Sequence, residues 1–544
     1  MRFLCFVCAG VAALMMAGAM PSAAGNWIRA TSPHFIVYSD TDQARTTAYI
    51  TRLEQYRYVL QTFYGQQTAD DGQFPKFQMY FLKDRKDFKE VWPTVPDYVG
   101  GVYRPCEEGQ AAFAMDQKED ISHAKSITSQ QEDDSQLIIF HEYAHQFMFE
   151  NADKLYPHWF IEGFADYYGA TRMLDDQIAV GVPAQERQWE LNVPVQLSYA
   201  DVLRGSPTVY TENHIALFYA QAWLLTHYLM STPDRQAQLD AYITAYNNKE
   251  DPVAAFEKAT GIAVKDLPRV LETYTKKEMQ VIVYKVKDLP APKVELSDMP
   301  ASSQKLLLWD AAARVCMWPQ DKSAYMDKVR QEAALYPNDD YAQMALARIE
   351  VIIGDESKAE PYLSKVAAQH PDDADALGLL GQTWFLMTQH GTVLDGQTKA
   401  SQMKLARDDL YKGYQLDPLS AADLYYLSLA QQDLPGYPND TAVNAAMQAQ
   451  ILVPSVTGYA TQAAGVLIQK ARYDEARTML QPIANNPHGG KASAWAQAVI
   501  DGIDAHKSQD EITALFKTPI ASDAPAAKAD DGKSDKKDGD AKAH

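Results

Sequence analysis

The sequence predicts a mixed α+β domain followed by an all-α array of helices. Alternating apolar and polar residues in the first hundred positions indicate strands. An apolar run over 136–149 has helical spacing and carries His141, Glu142 and His145. From about residue 303 onward, helical patterns and recurring prolines replace the strands. At 544 residues the chain is too long for one core, so two or three domains are expected.

Residues 1–24 have the features of an export signal. Arg2 precedes an apolar run over 3–20, and the small residues Ser22 and Ala24 suit cleavage after Ala24. We therefore expect an exported protein, periplasmic or secreted. An uncleaved membrane anchor formed by the same run is the alternative.

Two cysteines, Cys106 and Cys316, remain after residues 1–24 are removed. They fall in different predicted domains, and we expect two thiols so far apart in sequence to act independently. A disulfide between them stays open in an oxidising compartment.

Composition and charge narrow the range of partners. The chain is 47% hydrophobic and 22% charged, as a globular protein is, and its net charge is −21. Nucleic acid and anionic membrane surfaces favour clustered Lys and Arg, so neither is expected as the main partner.

The first domain is predicted over 25–287. Its strands are expected over 27–40 and 76–82, with a helix between them over 41–64. Short strands at 99–103 and 110–115 suit a hairpin or an edge strand. The further helices are predicted over 136–149, 159–168 and 215–230, with an irregular segment over 170–205.

A Pro-containing linker is expected over 288–302, and a disordered tail over 518–544. Pro290, Pro292 and Pro300 mark the linker. The tail is rich in Ala, Asp and Lys and cannot bury a core.

The segment 303–517 has a repeat marked by prolines and small residues. Ala359, Ala406 and Ala442 each lie twelve residues before the proline that ends their unit. This pattern resembles the tetratricopeptide repeat, which implies a superhelix with a concave face for a protein partner or substrate. An irregular helical bundle with chance prolines is the alternative. The prolines are Pro337, Pro371, Pro418, Pro454 and Pro487.

His141 and His145 are the first two candidate metal ligands. On a helix they share one face, with Cβ atoms about 5–6 Å apart, and two such imidazoles can hold one zinc ion. Glu142 is then placed to act as general base on a metal-bound water. Glu162, on the following helix, is the best candidate for the third ligand. Asp166 shares its face and can orient a ligating imidazole.

The pattern His141-Glu142-x-x-His145 with Glu162 and Asp166 is similar to the gluzincin zinc metallopeptidases. The segment 157–166 also looks like the bacterial peptidase MA-like domains. The resemblance covers roughly 27–285 and implies a thermolysin- or aminopeptidase-like α+β fold with one Zn²⁺.

The sequence that begins at Tyr219 resembles the start of the aminopeptidase helix whose tyrosine stabilises the oxyanion. The resemblance makes Tyr219 the oxyanion donor, with Tyr210 and His214 as substitutes. Ala114-Met115, followed by Asp116, only weakly matches the aminopeptidase edge strand that holds the substrate amine. Endo- and exopeptidase action therefore both stay open.

The sequence thus predicts an exported zinc peptidase that hydrolyses a peptide or protein substrate. The alternative is a non-catalytic scaffold in which the repeats bind partners and the peptidase fold is a platform. An intact Glu142 favours the enzyme, because a scaffold needs no general base. His158 is a further possible ligand, although a histidine just after proline at a helix beginning more often faces solvent.

Overall fold

The computed structural model describes residues 27–64, 72–95, 99–115, 134–151, 154, 156–174, 176–211, 213–277, 279–286, 289–484 and 490–518. The predicted export signal and nearly all of the predicted tail lie outside these ranges. None of the described helices is long and apolar enough to cross a membrane.

A six-stranded mixed sheet forms the first layer of the N-terminal region. Its spatial order is β4-β5-β3-β2-β1-β9, with β2–β3 and β3–β5 parallel and the other pairs antiparallel. Buried residues alternate along β1 and β2, as expected for a sheet with one face on the core. The strands are β1 (Ile28–Thr31), β2 (Phe35–Ser39), β3 (Phe77–Leu82), β4 (Gly101–Cys106), β5 (Gly109–Met115) and β9 (Glu295–Asp298).

The segment predicted as a linker over 288–302 contains β9 and therefore belongs to this sheet. Ile28 of β1 pairs with Asp298, and Thr31 pairs with Glu295. An edge strand needs hydrogen-bond partners on one side only, so a Pro-flanked polar segment can serve there. Its prolines and polar composition gave it the appearance of a linker.

Among its described residues, ten α-helices and a second, three-stranded sheet complete the N-terminal region. The small sheet has the order β6-β7-β8, with β6 (Arg172–Leu174), β7 (Gln177–Val180) and β8 (Ile282–Lys285). The predicted irregular segment 170–205 contains two of these strands and two short helices. The helices are α1 (Gln43–Tyr64), α2 (Arg85–Val91), α3 (Asp134–Asn151), α4 (His158–Gly169), α5 (Gln185–Glu190), α6 (Tyr199–Arg204), α7 (Ile215–Met230), α8 (Pro233–Asn247), α9 (Pro252–Thr260) and α10 (Leu267–Thr275).

The C-terminal region is entirely helical where it is described. Its helices are α11 (Ser303–Arg314), α12 (Lys322–Ala333), α13 (Asp340–Ile352), α14 (Glu356–Gln369), α15 (Ala374–Gln389), α16 (Lys399–Leu416), α17 (Ala421–Leu429), α18 (Asp440–Leu452), α19 (Thr457–Gln469), α20 (Tyr473–Ala484), α21 (Gly490–Asp504) and α22 (Gln509–Phe516). The chain is thus a mixed α and β structure with a helical C-terminal region.

Prolines and capping Asp residues in the helical region coincide with the ends of helices. Pro337, Pro371, Pro418 and Pro454 each follow the second helix of a successive pair by a few residues. Asp side chains cap the N-termini of α13, α14 and α15, which explains where these helices begin. The three alanines that mark the predicted repeat are all buried: Ala359, Ala406 and Ala442.

The two regions pack directly on each other. Leu307 and Ala311 of α11 share a core with Tyr80 of β3 and Phe113 of β5. This packing brings Cys106 and Cys316 within 5.9 Å between Cα atoms, and their sulfurs form a disulfide. The expectation of independent thiols failed because sequence separation, here 210 residues, says nothing about how two domains dock.

Candidate metal centre

Helices α3 and α4 lie antiparallel, as the break between them predicts. A Cβ added to Gly169, at the end of α4, would lie 3.4 Å from the Leu137 carbonyl oxygen and 3.4 Å from the His141 backbone nitrogen. Gly163 faces the other neighbour, α7, where a Cβ would lie 2.5 Å from the Ala222 carbonyl oxygen. Gly163 therefore lets α4 approach α7 closely at the residue next to Glu162, whereas Gly169 has only ordinary contacts with α3.

Three side chains converge where α3 crosses α4. The Nε2 atoms of His141 and His145 lie 3.0 Å apart. Glu162 Oε2 lies 3.5 Å from His141 Nε2 and 3.3 Å from His145 Nε2. Glu162 is 1% exposed, so its carboxylate is held inside the protein at this point.

These distances suit a tetrahedral zinc site. Donors bound at 2.0–2.1 Å in a tetrahedron stand about 3.3–3.4 Å from one another, and the three distances bracket that value. Two imidazoles and one carboxylate are also the donor set of catalytic zinc, which leaves a fourth position open. The residues therefore fit the metal that the sequence predicts.

Asp166 supports one ligand through a hydrogen bond. The Nδ1 atom of His141 lies 2.8 Å from Asp166 Oδ1, which leaves Nε2 directed at the other donors. Burial opposes protonation of His141, but Asp166, Glu162 and Glu142 outweigh it and raise the pKa of His141 to about 10. The surrounding carboxylates thus favour a positive charge at this position, and a metal ion bound by the neutral ring would supply that charge in place of the proton.

Arg187 completes this network and was not anticipated from the sequence. It lies on α5, inside the segment predicted as irregular, and its Nε donates to Asp166 Oδ2 at 2.8 Å. Burial opposes ionisation of Asp166, but Arg187 and His141 overcome it and lower the pKa of that carboxyl. No motif marks Arg187, because its position depends on how α5 packs against α7.

Glu142, the predicted general base, lines an open cleft of about 340 Å³ beside the metal ligands. Within the described residues its carboxylate makes no hydrogen bond or ion pair with a side chain. His141 and His145 line the same cleft. The predicted base and the two histidine ligands therefore face one solvent-accessible space.

Tyr219, the predicted oxyanion donor, also lines this cleft. Its ring centroid is 6.4 Å from that of His141, and the Arg187 guanidinium carbon lies 5.3 Å from the Tyr219 ring centroid. Burial, reinforced by Glu162, Asp166 and Glu142, raises the pKa of Tyr219, so the phenol keeps its proton. A protonated phenol can donate a hydrogen bond to an oxyanion.

The substitutes for Tyr219 have other contacts. The Tyr210 hydroxyl lies 2.9 Å from His158 Nδ1, which also gives His158 a partner outside the three converging donors. His214 Nδ1 lies 2.9 Å from the Thr208 carbonyl oxygen. None of these three residues lines the cleft.

The weak aminopeptidase match falls on an inner strand. Ala114 and Met115 belong to β5, which pairs with β4 on one side and β3 on the other. The sheet edge nearest the ligand helix is β4. Asp116 lies outside the described residues.

The far wall of the cleft comes from the helical region. It is lined by the segment 454–456 between α18 and α19, by Thr457 at the start of α19, and by Pro482 and Ile483 of α20. The Ser455 and Tyr103 hydroxyl oxygens lie 2.8 Å apart, and the Tyr103 hydroxyl donates to Gln146 Oε1 at 2.7 Å. A chain of side-chain contacts thus joins this wall to the residue after His145.

The β4–β5 turn inserts against three helices of the C-terminal region. Gln382 of α15 donates to Glu108, Tyr426 of α17 also bonds Glu108, and Tyr459 of α19 donates to the Glu107 carbonyl oxygen. These are the first helices of three successive pairs. These three helices of the C-terminal region therefore contact the chain's own hairpin.

No protein-family model matches the chain, and no curated protein is significantly similar to it.

Proposed function

We propose that this protein is an exported zinc-dependent metallopeptidase of the gluzincin type, with His141, His145 and Glu162 as the metal ligands. The observation that carries the proposal is the spacing of the three donor atoms at 3.0–3.5 Å beside a cleft that Glu142 lines. A zinc ion held there would lower the pKa of a bound water and polarise the scissile carbonyl.

The chain's own residues account for the remaining steps. Glu142 accepts a proton from the attacking water and delivers it to the leaving amine nitrogen. Tyr219 donates a hydrogen bond to the oxygen on which negative charge develops. Asp166 holds the His141 ring in one orientation, and Arg187 keeps Asp166 ionised at that position.

The helical region has the features of a tetratricopeptide-like array, and we infer that it serves the peptidase in the same chain. Support comes from the helix pairs, the closing prolines and the buried alanines at helix crossings. Its contacts with the β4–β5 turn favour this role over a free scaffold. The disulfide between Cys106 and Cys316 agrees with an oxidising compartment outside the cytoplasm.

A peptide-cleavage assay tests the proposal. The full chain, loaded with zinc, is incubated with a library of peptides, and products are identified by mass spectrometry. We expect cleavage by the wild type and a kcat lower by about 10²–10⁴-fold in Glu142→Gln, which keeps the shape of the side chain but not its basicity. Equal cleavage by both proteins, or none by the wild type with zinc bound, would contradict the proposal.

A further inference from the structure

Arg104 lies on β4 and lines the cleft that contains His141 and Glu142. Within the described part of the chain it forms no ion pair or side-chain hydrogen bond. Two arginines of the helical region differ from it, since Arg314 and Arg348 both pair with Asp310. Arg104 is thus a cation without a charged partner in the part of the chain that the structure describes.

The Arg104 side chain is exposed at the cleft and has no counter-ion among the described residues. A guanidinium without a partner at this position can pair with an anion that enters the cleft. In a chain of net charge −21 an unpaired cation beside the candidate site also attracts anions specifically to this place.

The neighbours of Arg104 relate it to the proposed reaction centre. Tyr103 precedes it on β4 and bonds to Gln146, which follows His145. Cys106, two residues later, is tied to the helical region by the disulfide. The strand that carries the guanidinium is therefore fixed both to the ligand helix and to the helical region.

We propose that Arg104 binds a carboxylate of the peptide substrate, so that the protein prefers peptides with an acidic group close to the cleaved bond. The inference rests on the proposed peptidase function and adds a substrate class to it. A guanidinium binds a carboxylate through two parallel hydrogen bonds, which gives both affinity and orientation. An Asp or Glu side chain and a free C-terminus carry the same group, so both are sources of it.

Matched peptide pools distinguish these sources. Three pools of acetylated hexapeptides share one sequence framework: one has Glu at a fixed position and an amidated end, one has Gln there and an amidated end, and one has Gln there and a free C-terminal carboxylate. Values of kcat/KM are measured for the wild type and for Arg104→Gln and Arg104→Lys. Arg204→Gln is the control, because Arg204 pairs with Asp251 on the surface and does not line the cleft.

We expect the wild type to favour one carboxylate pool over the neutral pool by about 10–100-fold, the usual range for a hydrogen-bonded ion pair. Arg104→Gln should abolish that preference, Arg104→Lys should keep part of it, and Arg204→Gln should keep it in full. Preference for the Glu pool identifies a side chain as the source, and preference for the free-acid pool identifies the C-terminus. Equal use of the three pools by the wild type, or an unchanged preference in Arg104→Gln, overturns the inference.

A binding measurement separates this inference from the peptidase proposal. The same pools are titrated by calorimetry into Glu142→Gln and into the double variant Arg104→Gln/Glu142→Gln. Binding is then measured without turnover. If no pool is cleaved but the carboxylate pool binds more tightly in an Arg104-dependent way, the peptidase proposal fails and the anion site stands. If peptides are cleaved but the carboxylate and neutral pools bind with equal affinity, the anion site fails and the peptidase proposal stands.

Discussion

The cleft has two walls that differ in how their residues are brought together. One wall comes from α3 and α7, which pack on α4, and holds His141, Glu142, His145 and Tyr219, all within 78 positions of one another. The other wall comes from 454–457 and α20, and it meets β4 across 352 residues of sequence, at the contact between Tyr103 and Ser455. The first wall is built by local helix geometry, whereas the second depends on domain docking. We therefore expect changes in the first wall to affect metal and chemistry, and changes in the second to affect substrate binding.

The largest effect on the second wall should come from loss of the disulfide. Replacing Cys106 or Cys316 by Ser removes a link across 210 residues, and we expect the free energy of unfolding to fall by about 2–5 kcal/mol. Chemical denaturation of the single and double variants measures this. The singles and the double variant should agree, with zinc content unchanged. A loss of zinc in these variants would show that the two walls are not independent.

Acid stability tests the packing behind the first wall. His227 of α7 is fully buried, with Nδ1 2.7 Å from the Tyr274 hydroxyl and Nε2 2.9 Å from the Gly181 carbonyl oxygen. Burial lowers the pKa of His227 to about 4 from its ordinary value of 6.5. Between pH 6.5 and about 4 the unfolded chain therefore binds a proton that the folded chain does not. The free energy of unfolding consequently falls by about 3 kcal/mol as the pH drops through this range.

His227→Gln removes that titration. The free energy of unfolding, measured by denaturant titration from pH 7 to 4, should fall less steeply with acid than in the wild type. His370→Gln, at an exposed position, is the matched control and should keep the wild-type slope. An unchanged slope in His227→Gln would mean that another group carries the acid sensitivity.

The spacing of helices in the first wall can be tested at its two glycines. Gly163→Ala places a Cβ 2.5 Å from the Ala222 carbonyl oxygen and against the Thr226 hydroxyl, so α4 and α7 must separate. We expect a destabilisation of about 1–2 kcal/mol and weaker zinc binding, because Glu162 moves with α4. Gly169→Ala, whose nearest contacts are 3.4 Å away, should change neither quantity measurably. Equal effects at both positions would contradict the close approach of α4 to α7.

The smallest effect is expected at the contact between the walls. Ser455→Ala removes one hydrogen bond to Tyr103, a loss of about 1 kcal/mol or less. KM should rise a few-fold at unchanged kcat in steady-state assays. A fall in kcat instead would place Ser455 with the reacting groups and would break the division between the walls.

The local origin of the first wall and the docked origin of the second also determine which parts of the structure were predictable from sequence. The spacing of His141 and His145 gives their shared helix face directly, and the break before Pro157 gives the antiparallel return that brings in Glu162. Arg187 was not predictable, because α5 reaches Asp166 only through tertiary packing. The same holds for Ser455 and for the Cys106–Cys316 disulfide, which require knowledge of how the helical region docks. Edge strand β9 was missed because its prolines and polar residues suit a linker equally well.

Metal analysis of the purified full chain tests the central claim most directly. After dialysis against metal-free buffer and loading with zinc, elemental analysis should give one zinc ion per chain for the wild type and for Glu142→Gln. Glu162→Gln and His145→Ala should lose that ion, since each removes one of the three converging donors. Zinc retained at wild-type levels in Glu162→Gln and His145→Ala, or absent from the wild type, would contradict a metal centre formed by α3 and α4.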